Sequence, residues 1–288
     1  MTRIAVGLDY SAAARSALRW AAHFAVASEA EVIAVHSWEP SYDAGDAEAY
    51  EELVEKQRSL LLGAWVEPAV DMGATVTTLM PEGDARKVLL ATAEDEGADL
   101  LVTGRTGAAG GPGFLHLGSV AEYAAHHSPI PLAVIPSGWS GETSRILVGV
   151  DGSPESLSAI GWVTTFAPDL GASVIAVQVA EPFLEWTPAS SPQNWRRDVE
   201  RDLEKWTAPL RERGVQVDLV AQRDLYPADG LLGVAAARHA DLVVIGARGT
   251  GGFTGLRVGG VALKVLHRAT LPLVLVPPTW SGARRTGT

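Results

Sequence analysis

Cysteine is absent from the 288-residue chain. Disulfides, thiolate chemistry and cysteine-based zinc sites are thereby excluded, and the absence fits a reducing compartment. Lysine is scarce as well: Lys56, Lys87, Lys205 and Lys264 are the four present, and none stands in a Gly-Lys-Ser/Thr sequence, so there is no Walker A loop. Basic charge in general is short, since 23 lysines and arginines face 34 aspartates and glutamates, for a formal net charge of −11. A nucleic-acid or anionic-membrane partner would need a basic field, so neither is expected, and any anionic ligand has to be held locally. No apolar run approaches the length of a membrane span. The N-terminal stretch MTRIAVGLDYSAAARSALRW carries Asp9, Arg15 and Arg19 where a signal peptide needs unbroken apolar sequence, so a cytoplasmic protein is expected.

What the chain does contain is a repeat. Residues 4–18, IAVGLDYSAAARSAL, fall on residues 146–160, ILVGVDGSPESLSAI, at an offset of 142, which superposes Gly7 on Gly149, Asp9 on Asp151 and Ser11 on Ser153. The same offset carries GADLLVTGRTG (97–107) onto HADLVVIGARG (239–249). It slips to 141 where SPIPLAVIP (128–136) meets ATLPLVLVP (269–277), so the first copy has gained one residue between Gly107 and Gly118. Each copy has the size of a compact domain, and the Pro/Gly/Ser-rich stretch 136–144 reads as their connection. Domains at 1–140 and 145–288 are expected.

Within the first copy, short apolar strands alternate with helices. Strands are expected at Ile4 to Leu8, Glu31 to Ser37, Ala74 to Met80, Leu100 to Thr103 and Pro131 to Ile135. Helices are expected from Ser11 onward, over Ala47 to Leu62, over Ala85 to Glu96 and over Ser119 to His127. In the second copy Ser153 is a favourable N-cap and Pro154 sits where a first-turn proline is tolerated. Buried parallel strands joined by helices imply an α/β sheet with helices on both faces, and ligands of such sheets bind beyond the carboxyl ends of the strands.

Residues 246–260, GARGTGGFTGLRVGG, place seven glycines directly after the apolar run ending at Ile245. Glycine reaches positive φ and lets a backbone approach a ligand closely, but each one costs conformational entropy, so a cluster needs a reason. The loop runs from a strand end into a helix N-terminus, where free N–H groups and the positive dipole end favour an anion, a phosphate above all. Gly249 and Gly251 are followed by Thr254 where a dinucleotide fingerprint would have its third glycine, so that motif is excluded.

On these residues the chain resembles the universal stress protein family, whose nucleotide-binding members carry Gly, two residues, Gly, nine residues, Gly, then Ser or Thr. Gly246, Gly249 and Gly259 keep that spacing, with Gly260 in place of the hydroxyl residue; Gly104, Gly107, Gly118 and Ser119 are all present, with ten residues between Gly107 and Gly118. The resemblance spans nearly the whole chain, twice. It implies two tandem Rossmann-like parallel-sheet α/β domains, packed as a pseudo-twofold pair through their apolar last strands. It further implies that Asp9 and Asp151 face a nucleoside, that backbone near Ser37 and Val179 meets the adenine edge, and that the ligand is ATP or a related adenine nucleotide, with or without Mg2+. Loop length favours the second copy as the tighter binder, because a lost hydroxyl at Gly260 is a smaller defect than an extra residue before Gly118.

Each of these residues also has a plainer reading: the loops as surface connections, Asp9 and Asp151 as turn or capping residues, Arg248 as a solvated charge. His126 and His127 are adjacent and so lie on different helix faces rather than in metal-pair geometry. No nucleophile with a positioned base, no carboxylate pair and no metal cluster emerges, so a binding protein without catalytic or metal-ligating residues is expected. The resemblance adds stress-linked regulation, with any ATP hydrolysis slow. A nucleotide-free structural or interaction module of the same fold is the alternative, and a further homodimer stays open.

Overall fold

The structure is a computed structural model and describes residues 2–39, 47–108, 117–139, 141–180, 192–249, 258–278 and 280. The chain divides into two compact units at Ser140 and Gly141. In the first, β1 (Arg3–Gly7), β2 (Glu31–Val35), β3 (Thr75–Leu79), β4 (Leu100–Gly104) and β5 (Leu132–Ile135) form a parallel sheet in the order β3-β2-β1-β4-β5. The chain fills one side of β1 first and then crosses to the other. The carboxyl end of β1, between β2 and β4, is therefore the switch in strand order where a crevice opens. The central strands are buried on both faces, as the apolar runs require, whereas edge strand β3 alternates exposed and half-buried residues.

Helices α1 (Ala12–Ser28), α2 (Ala47–Leu60), α3 (Glu67–Asp71), α4 (Ala85–Asp95) and α5 (Ser119–His127) complete this unit. Ser11 caps α1 by accepting from the Ala14 amide at 3.0 Å, and α1 lies on the sheet through a face of small residues around Trp20 and Phe24. The helix expected over Ala47 to Leu62 is shorter and has a sequel. Gly63 adopts φ −113° and ψ −105°, which no helix tolerates, so the chain kinks within Leu61–Trp65 before α3, which has Pro68 in its first turn.

The second unit repeats the plan. Strands β6 (Arg145–Gly149), β7 (Ser173–Ala180), β8 (Val217–Arg223), β9 (Leu242–Gly246) and β10 (Leu273–Val276) are parallel in the order β8-β7-β6-β9-β10. Helices α6 (Pro154–Phe166), α7 (Pro192–Glu212), α8 (Pro227–Ala237) and α9 (Gly260–Arg268) connect them. Ser153 caps α6 through the Ser156 amide at 3.1 Å, with Pro154 in the first turn. The repeat reaches the core: Trp20 packs on Phe24 with ring centroids 5.2 Å apart, and Trp162, at the matched position, packs on Phe166 at 4.9 Å. No helix among the described residues is long and apolar enough to cross a membrane.

Candidate functional site

At the switch point of the first unit lies a cavity of about 170 Å³. Asp9, Ser37, Gly104, Gly107, Gly118 and Ser119 all line it, so the first unit brings together every site residue expected there. The chain reaches this arrangement through three strand ends. β1 delivers Asp9 two residues beyond its last member, β2 delivers His36 and Ser37, and β4 runs into the glycine loop.

The glycines are required by close approach rather than by handedness. None of Gly104, Gly107, Gly118, Gly246, Gly249 or Gly259 has a positive φ, which corrects that part of the sequence argument. A Cβ on Gly104 would stand 2.8 Å from the Ala13 carbonyl carbon and 2.9 Å from the Ala14 nitrogen, so β4 can press against the start of α1 only as glycine. Gly246 has the same need, with the Glu155 carbonyl carbon 2.7 Å away. Gly107 instead faces a carboxylate: its Cβ would lie 3.2 Å from Asp9 Oδ2, and Gly249 abuts the Asp151 carboxylate in the same way.

Asp9 ties the loop to the strand end. One carboxylate oxygen accepts from the Ser11 amide at 2.8 Å and the other from the Ala108 amide at 2.9 Å, across ninety-nine residues. Asp151 accepts from both the amide and the hydroxyl of Ser153, at 3.0 and 2.5 Å. The extra residue of the first loop does not displace the helix that follows. Gly118 donates to the Arg105 carbonyl at 2.7 Å and Gly259 to the Ala247 carbonyl at 2.8 Å, so both loops close on the same step of the strand. Residues 109–116 and 250–257, including Gly251, Thr254 and Arg257, lie outside the described residues.

Both following helices start without a side-chain cap, at Gly118 and Gly259. The first-turn amides of α5 thus meet the cavity where Gly118, Ser119 and Val120 line it, and they can accept an anion. Gly260 has open space where a Cβ would go. The loop arginines differ between the units. Arg248 pairs with Glu155 at 3.5 Å, which draws its charge to the N-terminus of α6, while Arg105 is buried and its pKa is lowered by desolvation. Ser37 lies just beyond β2, whereas its counterpart Val179 is inside the longer β7, where a Cβ on Gly230 would come within 2.8 Å of it.

Two residues went unnoticed in the sequence. His36 is buried, and its Nδ1 lies 2.9 Å from the Leu8 carbonyl, an acceptor only, so Nδ1 carries a proton. Its ring meets Trp65 and Tyr10 edge-on, at 4.9 and 6.2 Å between centroids. Thr103, 2% exposed, is among the lining residues, and its hydroxyl oxygen is buried with no hydrogen-bond partner among the described residues. The repeat holds the signal for it, because the 142-residue offset places Thr103 on Ile245, a hydroxyl against a methyl. His127, expected to be structural, stacks on Tyr123 and bonds its carbonyl at 2.8 Å. Among the described residues no group of three or more His, Asp or Glu side chains could hold a metal ion.

Known proteins resemble the chain along its whole length. The model of the universal stress protein family matches residues 1–136 and again residues 142–277. A universal stress protein of Mycolicibacterium smegmatis is 31% identical over 291 residues, covering 96% of this chain and 97% of the relative. One from Mycobacterium tuberculosis is 31% identical over 304 residues, covering 94% and 95%. The crystal structure of a universal stress protein from Archaeoglobus fulgidus superposes with a TM-score of 0.75 over 96% of this chain and 98% of that one. At 17% identity that likeness speaks for the fold.

Proposed function

The chain belongs to the universal stress protein family, and we propose that it is a stress-response regulator that binds an adenine nucleotide, ATP, at the strand ends of its first unit. One observation carries the reading: Asp9, Ser37 and the four loop residues Gly104, Gly107, Gly118 and Ser119 converge on one cavity at the switch point. The phosphates lie against the loop and the uncapped start of α5, where backbone amides supply the positive end of the helix dipole. On a chain with a formal net charge of −11, such local backbone donors suit a polyanion. Mg2+ enters with the triphosphate as its counter-ion. The protein acts in the cytoplasm by binding, and any turnover of ATP is slow.

The first unit is the better site in this reading, the reverse of the order that loop length suggests. Closure of both loops on the same strand step removes the objection to the longer loop. In the second unit, Glu155 puts a carboxylate beside the loop and engages Arg248. A nucleotide-free module has one observation in its favour, since packing against a helix backbone already explains Gly104 and Gly246. Mass spectrometry of small molecules released on denaturing the purified protein, with calorimetric titration of ATP, separates the two. Saturable binding is expected; no heat at millimolar ATP, with or without magnesium, sinks the nucleotide reading.

A further inference from the structure

A second cavity, of about 120 Å³, shares Leu8 and Asp9 with the first and lies between α1 and the kink that precedes α3. Two kinds of wall meet there: Arg15 and Arg19, one turn apart on α1, and the rings of Tyr10 and Trp65, packed edge-on with centroids 4.8 Å apart. Like charges four apart on a helix repel, yet neither arginine has an ion pair among the described residues. Arg15 is held by donating from Nη1 to the Tyr10 carbonyl at 3.1 Å, which leaves most of its N–H donors for a ligand. Asp9 is the one carboxylate in the lining, and both of its oxygens already accept, from the Ser11 and Ala108 amides. Two guanidiniums against one carboxylate leave an excess of one positive charge. The fold does not require it. At the 142-residue offset Tyr10, Arg15 and Arg19 fall on Gly152, Leu157 and Gly161, and tryptophans take up the room: a Cβ on Gly152 would lie 3.0 Å from Trp206, and one on Gly161 3.0 Å from Trp280.

The walls select the ligand. Guanidinium forks pair with carboxylate and phosphate alike, but the second charge of a phosphate exceeds the local excess, and a phosphate gains nothing from Leu8, Leu18 and two aromatic rings. A monocarboxylate on an apolar body meets both walls. A dry cavity of about 150 Å³ takes benzene, so the room here limits that body to about one ring, with the carboxylate towards the exposed arginines. We propose that this cavity is a second binding site of the first unit, for a small monocarboxylate with an apolar body of single-ring size. Arg15 and Arg19 pair its charge, and Tyr10 and Trp65 flank its body. Such a site does not depend on the first cavity holding a nucleotide.

Ligand-observed NMR titration of the full chain with benzoate tests this, with benzamide as the uncharged counterpart and inorganic phosphate as the anion without an apolar body. Benzoate is expected to bind once per chain with a dissociation constant below about 10 mM, and benzamide and phosphate at least about tenfold more weakly. Arg15→Gln and Arg19→Gln, exposed helical substitutions that leave folding intact, are expected to weaken benzoate several-fold each, and by about tenfold or more together. Arg58→Gln, which removes the same charge from α2 outside the cavity, is expected to leave it unchanged. Absence of saturable benzoate binding overturns the proposal, as does an affinity unchanged in the double variant or lowered equally by Arg58→Gln. Equal binding of benzamide would reduce the site to an apolar pocket, and equal binding of phosphate to a patch of charge; either contradicts the carboxylate assignment.

Discussion

A methyl group is the smallest side chain that can replace a glycine hydrogen, and at two glycines of the first loop it meets different obstacles. At Gly104 it would press on the Ala13–Ala14 backbone, which cannot move without shifting α1. At Gly107 it would press on a carboxylate oxygen, which can give by a few tenths of an ångström. Gly104→Ala is therefore expected to destabilise the free protein by about 1–3 kcal/mol, the range of overpacking. Gly107→Ala is expected to stay within about 0.5 kcal/mol of wild-type stability while weakening ATP several-fold, because Asp9 has to release or re-aim the Ala108 amide. Urea unfolding of both variants beside ATP titration checks this. Equal destabilisation by the two would mean that the loop glycines share one purely architectural role.

Among the elements, α4 starts with a carboxylate–guanidinium pair at its N-cap. Asp84 caps it, accepting from the Arg86 amide at 2.9 Å, and the Arg86 guanidinium grips the same carboxylate. Those side-chain bonds, then the backbone bond, hold the Asp84 carboxyl well below the usual carboxylate range. A folded value below the unfolded one means that the ionised form stabilises the fold. That contribution is complete above about pH 4, the unfolded value, and fades as the pH falls through the folded value. Asp84→Asn has no such titration. Its deficit in melting temperature should hold constant from neutrality to about pH 5 and narrow below about pH 4, and it should be small in salt because the pair is exposed. A deficit that widens in acid would contradict the assignment.

Elements were also the level at which the sequence was most readable. Apolar runs such as Leu132–Ile135 located most strand ends to within a residue, with β2 ending two residues short of the expected Ser37, and Ser11 and Ser153 announced their helices, because burial on both sheet faces and capping leave strong local signals. The kink within Leu61–Trp65 was hidden, since it depends on a single glycine that leaves helical φ and ψ in the middle of an otherwise helical pattern. At the site, the motif residues of the first unit were legible as spacing. Thr103 was not, because a lone threonine in a strand reads as ordinary β-propensity until its hydroxyl is seen buried without a partner among the described residues.

At the scale of the whole molecule, the family model fits twice but the two copies differ in sequence at and beside residues that line the first unit's cavity. Threonine faces isoleucine, Ala13 faces Glu155 and Ser119 faces Gly260. Such divergence makes a prediction about stoichiometry, because a duplication that kept two equal sites would bind two nucleotides per chain. Calorimetric titration of ATP into the unaltered protein, Asp9→Ala and Asp151→Ala measures it directly. The account predicts one tight site per chain, lost in Asp9→Ala and kept in Asp151→Ala; binding that survives in Asp9→Ala and disappears in Asp151→Ala would contradict it.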